Sequence, residues 1–303
     1  MVEKILSILV ISGLIFSTAQ VFGQQLTMGE QPIEDLKVTV DEIGTVHVVH
    51  IVKGDKIKPV RVESINGNMT NFSVVDKDGN SVQYSTLSGS PKSVLLLPTN
   101  RNATYIKYDL PNIVSNKDGV WEWNYYEPSD TTFTDFYFPK GVDTIWANNR
   151  PVYLGDQGLR QHGNGFTLDY IINEPISIQN VQWQDKSFDV GIRTISGLGS
   201  YVFDQSQKTY AFNVDKPKSF ITVIMPQQLL WGPYDVMINE NKTLHTEYRN
   251  NGTHVLIGLR PDSSGTVQIT GTTVVPEFPF FVPLAIAISA VVLLRFSSRL
   301  NFH

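Results

Sequence analysis

The stretch from Leu36 to Val52, LKVTVDEIGTVHVVHIV, decides the fold. Leu36, Val38 and Val40 recur at every second residue, and Val46, Val48 and Val52 share a face in the same way. Successive side chains of a strand point to opposite faces, so a period of two marks half-buried strands. The alternation returns at Tyr234, Val236 and Ile238, and again at Val255, Ile257 and Leu259. Between residues 30 and 273 no apolar pattern of helical spacing runs beyond a turn or two. A single helical turn is expected at Pro226-Gln227-Gln228-Leu229-Leu230. Asp78-Gly79, Asn148-Asn149, Asn239 to Asn241 and Asn251-Gly252 supply turn signals at short intervals. Short strands with frequent turns predict an all-β protein built as antiparallel, Ig-like β-sandwiches. Two such domains are expected, residues 24–175 and a membrane-proximal 176–273, with the boundary near Asn173-Glu174-Pro175.

The 303 residues are 17% charged, below the roughly 25% of an ordinary soluble domain. A net charge of −5 argues against a phosphate-backbone partner, so no nucleic acid is expected. There is no cysteine, which excludes disulfides, thiolate metal sites, Cys nucleophiles and copper sites with a Cys ligand. Stability must come from the core, and two domains of roughly 100–150 residues each are large enough for that.

Both ends are apolar. Residues 1–23 have the layout of a signal peptide: Lys4, an apolar run from Ile5 to Phe16, then small residues and a cleavage site after Val21-Phe22-Gly23. Near the other end, Phe278 to Leu294 carry no charge over 17 residues. As a helix that run is about 25 Å long, enough for a transmembrane segment at the short limit. Pro279 and Pro283 fall in its first turns, where a missing N–H does least harm. Arg295 and Arg299 follow, and basic residues past an apolar span favour the cytoplasmic side. The expected topology is single-pass in the cell membrane, with residues 24 to 275 outside and His303 inside.

Val275-Pro276-Glu277-Phe278, then an apolar span, then a basic end, resembles the PEF-type C-terminal sorting tails of archaeal cell-surface proteins. The resemblance covers residues 274–303. It implies that a membrane transpeptidase of the archaeosortase type recognises Pro276, Glu277 and Phe278, removes the tail and attaches a lipid. Pro279 stands where the common form has Gly. The segment from Ile224-Met225-Pro226 through Trp231-Gly232-Pro233-Tyr234 to Gly271-Thr272-Thr273 is similar to a membrane-proximal β-domain that often precedes such tails, a likeness that implies no activity.

Five N-glycosylation sequons lie in the expected exterior portion, at Asn68, Asn71, Asn102, Asn241 and Asn251. Asp76-Lys77-Asp78-Gly79-Asn80 begins like a calcium loop, but Ser81 and Leu87 stand where an EF-hand needs Gly and a bidentate Glu. A hairpin is expected there, with positive φ at Asp78-Gly79. His47 and His50 are three apart on a strand and face opposite ways, so they do not share a metal ion. Across a two-residue turn at Asn251-Gly252, His254 would oppose Arg249 and His245 would oppose Gly258. His162 reads as a polar turn residue. No G-x-S-x-G, H-E-x-x-H, Walker loop or G-x-G-x-x-G occurs. Asp130 and Asp135, near Glu127, are the one candidate carboxylate pair for glycoside hydrolysis. No catalytic residue, cofactor or metal is expected.

The most unusual stretch is VWEWNYYEPSDTTFTDFYFP, residues 120–139. On a strand Trp121, Trp123 and Tyr125 share one face. They form either the core of the first sandwich or a platform for sugar rings, edged by Glu122, Asn124 and Asp135. The residues favour a membrane-anchored extracellular surface protein with a structural, adhesive or glycan- or protein-binding role. Its partners would be the membrane, surface-layer proteins or extracellular glycans. The alternative is a carbohydrate-active or other hydrolytic ectodomain.

Overall fold

The structure, a computed structural model, describes residues 33–53, 58–89, 92–97, 103–126, 133–155, 158–162, 165–183, 185–272 and 287–289. The leader, Asn102, Glu127, Asp130, the sorting motif Pro276-Glu277-Phe278 and all of the terminal apolar span but 287–289 lie outside them. Among the described residues no helix is long and apolar enough to cross a membrane.

The chain is all-β. Its strands, in order, are β1 (Ile33–Val40), β2 (Val46–Lys53), β3 (Val60–Glu63), β4 (Thr70–Val75), β5 (Tyr84–Leu87), β6 (Ser93–Leu96), β7 (Thr104–Leu110), β8 (Ser115–Lys117), β9 (Val120–Tyr126), β10 (Phe133–Tyr137), β11 (Thr144–Ala147), β12 (Arg150–Tyr153), β13 (Leu159–Gln161) and β14 (Gly165–Tyr170). They continue as β15 (Ile176–Trp183), β16 (Lys186–Arg193), β17 (Leu198–Asp204), β18 (Thr209–Val214), β19 (Ile221–Pro226), β20 (Asp235–Ile238), β21 (Asn241–Lys242), β22 (His245–Asn250), β23 (His254–Leu259) and β24 (Gly265–Thr270).

The strands up to β14 form three sheets, ordered β13-β10-β1-β2-β7-β4, β12-β11-β14-β9-β8 and β3-β6-β5. One buried cluster joins all three, with Val38, Val48, Leu110, Phe136, Ile145 and Leu168 at its centre. The strands from β15 onward form two sheets, β15-β16-β19-β23-β22 and β17-β18-β24-β20-β21, which share a second cluster around Val190, Tyr210, Val223, Val236 and Ile257. Each unit is thus sandwich-like, with inner faces meeting over one core.

Alternation dictates the strands it predicts. Leu36, Val38 and Val40 are buried along β1 while Asp35, Lys37 and Thr39 are not. β2 repeats this at Val46, Val48 and Val52, and the two strands pair in antiparallel register from Ile33↔Lys53 to Val40↔Val46. The helical turn at Pro226 is present as a turn, closed by Leu229 N–H and Leu230 N–H to Pro226 C=O at 3.0 and 3.1 Å.

Two features depart from plain antiparallel sandwiches. β1 pairs with β10 in parallel, Asp35 opposite Phe133 and Thr39 opposite Tyr137. A hairpin cannot make such a pair, which needs a crossover, and here the chain from β2 to β9 supplies one. The first unit also carries the small third sheet, β3-β6-β5, against its core.

Candidate functional site

The aromatic strand β9 is core, which removes the proposed platform. Trp123 and Tyr125 are 3% and 2% exposed, and their rings meet edge-on at 5.2 Å. Both also pack edge-on against Phe136. Trp121 is half-buried and stacks on Tyr170, with centroids 6.2 Å apart. A Cβ at Gly44 would lie 2.5 Å from the Trp121 ring, so a glycine with φ of +82° lets the β1–β2 turn close over it. Large rings contribute most by burial, and here that use excludes a sugar-stacking face.

Other residues chosen from the sequence also find structural roles. Asp135 is held two-pronged by Arg160, Nε to Oδ1 at 2.6 Å and Nη2 to Oδ2 at 2.8 Å. That guanidinium lowers the Asp135 carboxyl, the opposite of what a general acid needs. The Asp76 carboxylate accepts from the N–H groups of Asp78 and Asn80, each at 2.9 Å, and closes its own turn. Only Gly79 of that turn takes positive φ, not Asp78. His47 faces outward to Asp109, while His50 is buried between Glu34 and Tyr108, with Nε2 2.8 Å from the phenol oxygen. Tyr108 Oη also accepts from Ile65 N–H at 2.9 Å, so the trio ties β1, β2 and β7 to the loop after β3. A bulge at Glu247–Arg249 shifts the last hairpin, so His245 opposes Leu259 and Arg249 opposes Leu256. Among the described residues no group of three His, Asp or Glu side chains is placed to hold a metal ion.

Of the sequons, Asn68, Asn71, Asn241 and Asn251 are exposed. Asn71 Nδ2 donates to Asp109 at 2.6 Å, and Asn241 Nδ2 donates to Asn239 C=O at 3.0 Å. Asn251 uses its Oδ1 to accept from Thr253 and His254, which leaves its amide nitrogen outside those bonds.

What the sequence did not indicate is a seam between the two units, built largely from β11, β12, β22 and β23. Trp146 on β11 and Phe220 before β19 are each 3% exposed, with ring centroids 4.8 Å apart, and Ile171 joins them. Arg260 lies over the Phe220 ring at 4.4 Å, and Arg249 lies over the Tyr153 ring at 3.7 Å. Arg249 is exposed and Arg260 half-buried, and cation–π pairs at such sites are worth about 0.5–1 kcal/mol each. The Tyr248 hydroxyl sits 3.0 Å from Thr222 Oγ1 and 3.5 Å from Thr144 Oγ1, and its burial raises the phenol. Arg193 of β16 pairs with Asp143 before β11 at 3.0 Å. Gly258 of β23 admits the first unit: a Cβ there would lie 2.4 Å from Pro151 Cγ and 3.2 Å from the Trp146 ring.

Among the described residues three clefts open on this seam; one, about 360 Å³, has Glu122, Asp169 and Arg260 on its walls, and the other two differ in size. The smaller, about 310 Å³, is bordered by Asp143, Glu174 and Arg193. Burial pushes the Glu174 carboxyl up to about 7 against the opposing charge of Arg193, and its Oε1 is buried with no hydrogen-bond partner. The larger, about 990 Å³, has Arg150, Lys218, Lys242 and Arg260 on its walls and Asp262 as its one carboxylate. Clefts between domains are a common location for ligand sites. No protein-family model matches the chain, and no match is found among curated proteins.

Proposed function

We propose that this chain is a membrane-anchored extracellular surface protein with a structural or adhesive role. Residues 24–175 and 176–273 form its exterior, the second standing nearer the membrane. The observation that carries the reading is the seam. A buried Trp146–Phe220 pair, the Arg249–Tyr153 cation–π contact and a glycine fitted against Pro151 join the units into one body. Loosely linked domains have smaller and more polar interfaces. Two units joined in this way suit an envelope component that holds a binding surface away from the membrane. The apolar ends, the Pro276-Glu277-Phe278 motif and the exposed sequons support the location.

Mass spectrometry of the C-terminal peptide from native membranes, combined with protease treatment of intact cells, tests this reading. The expected result is external cleavage within residues 33–272 together with one of two C-terminal peptides. A peptide reaching His303 means an integral anchor. One ending near Pro276 with a lipid-sized mass addition means a processed sorting tail. A chain that stays in the soluble fraction and is protected from external protease overturns the proposal.

A further inference from the structure

The larger cleft concentrates positive charge on a chain that lacks it overall. The whole sequence has 24 Lys and Arg against 29 Asp and Glu, yet the cleft sets four cations against one carboxylate. Lys242 is committed to Asp235 at 2.7 Å. The side chains of Arg150 and Lys218 have no ion pair among the described residues. Arg260 is fixed: its Nε donates to Lys218 C=O at 2.9 Å, its Nη1 donates to Asn149, and its plane rests on Phe220. A guanidinium already held in place loses little freedom when it binds a carboxylate or sulfate.

We propose that this cleft binds an acidic saccharide chain through Arg150, Lys218 and Arg260. The inference rests on the adhesive reading above and names its ligand class. The shape supports it, because about 990 Å³ lies at the upper end of the range of ligand clefts, roughly 300–1,000 Å³. The neutral lining also fits. Asn148, Thr243 and Thr246 present amide and hydroxyl groups of the kind that bond to sugar hydroxyls. A peptide ligand would need a pocket for an apolar anchor, but Trp146 and Leu259, the large apolar residues of the lining other than Leu244, are buried. Leu244, 93% exposed on the lip, is the one large apolar side chain that the lining presents to solvent. A dense polyanion such as nucleic acid would meet a chain whose net charge is −5, whereas a sparsely charged glycan needs only the few cations of the cleft.

The test is calorimetric titration of the full-length protein in detergent with oligogalacturonate, a heparin oligosaccharide and a neutral maltooligosaccharide. One acidic probe at least should bind, weaken as salt is raised, and bind about tenfold or more weakly to Arg150→Glu with Lys218→Glu. Oligogalacturonate alone would identify carboxylate as the charge recognised, and heparin alone would identify sulfate. Both replaced residues are exposed, and Arg150→Gln with Lys218→Gln gives the same comparison if charge reversal lowers the melting temperature. Silence from both acidic probes overturns the proposal. So does equal binding of the neutral probe, or unchanged binding by a folded double variant. None of these results depends on where the protein resides, so the anchoring proposal stands or falls separately on its C-terminal peptide.

Discussion

Glu174 occupies the link between the two units, and its carboxyl is the clearest titratable device in the molecule. Burial raises it from 4.5 to about 7, Arg193 opposes the rise, and Asp143 adds to it. Below pH 4.5 the carboxyl is neutral in both folded and unfolded chains, and no charge is buried. Between 4.5 and 7 the unfolded chain ionises while the folded one holds its proton, so stability falls as pH rises. Above 7 the loss is complete. Glu174→Gln keeps the shape and removes the charge. It should flatten this fall and stabilise the protein by roughly 1–3 kcal/mol above pH 7, with little effect below 4.5. Denaturant midpoints of both proteins across that range measure it, and parallel pH profiles would show that Glu174 is not the group responsible. The sequence marked Asn173-Glu174-Pro175 only as a boundary. Nothing in three adjacent residues shows that Asp143 and Arg193 come from distant parts of the chain to border the carboxyl.

At the scale of elements, Gly258 and Gly79 separate two reasons for a glycine. Gly79 has φ of +84° in an open turn, with nothing within 4 Å of the place a Cβ would take. Gly258 lies inside β23, where Pro151 would meet a Cβ at 2.4 Å. Gly79→Ala should cost about 1 kcal/mol from backbone strain, confined to the hairpin. Gly258→Ala should cost about 1–3 kcal/mol by overpacking and should perturb the Trp146 environment as well. Urea midpoints with tryptophan emission distinguish them: a Gly258→Ala protein as stable as the parent would mean that the seam is looser than the distances show. The same strand shows why sequence reading stopped short. Val255, Ile257 and Leu259 alternate and were legible as half-buried, but Leu256 and Gly258 between them are buried too. A strand covered on both faces reads as a continuous apolar run, and VLIGL is one. The strands β1 and β2 themselves were legible because one face of each is wet. The parallel β1–β10 pair was not, because register between segments so far apart leaves no local pattern.

For the whole molecule the question is whether two cores behave as one. Each unit has its own buried cluster, and either is large enough to unfold cooperatively alone. The third cluster, Trp146 with Ile171 and Phe220, belongs to neither and carries the coupling. If the seam holds as its packing indicates, the parent protein melts in one calorimetric transition, with calorimetric and van't Hoff enthalpies in agreement. Trp146→Ala removes the ring that packs on Phe220 and touches Gly258, a loss of about 3–5 kcal/mol for a buried aromatic. Part of that falls on the first unit, to which β11 belongs. The larger part falls on the seam, because the ring faces the second unit and stands outside the first unit's cluster. The variant should therefore resolve into two transitions, the lower one from the first unit and the upper one close to the parent's. Phe220→Ala, made from the other side of the same contact, should also split the transition, but with the second unit lowered. Two transitions already present in the parent would leave the units uncoupled, and the structural or adhesive reading would lose the observation that carries it.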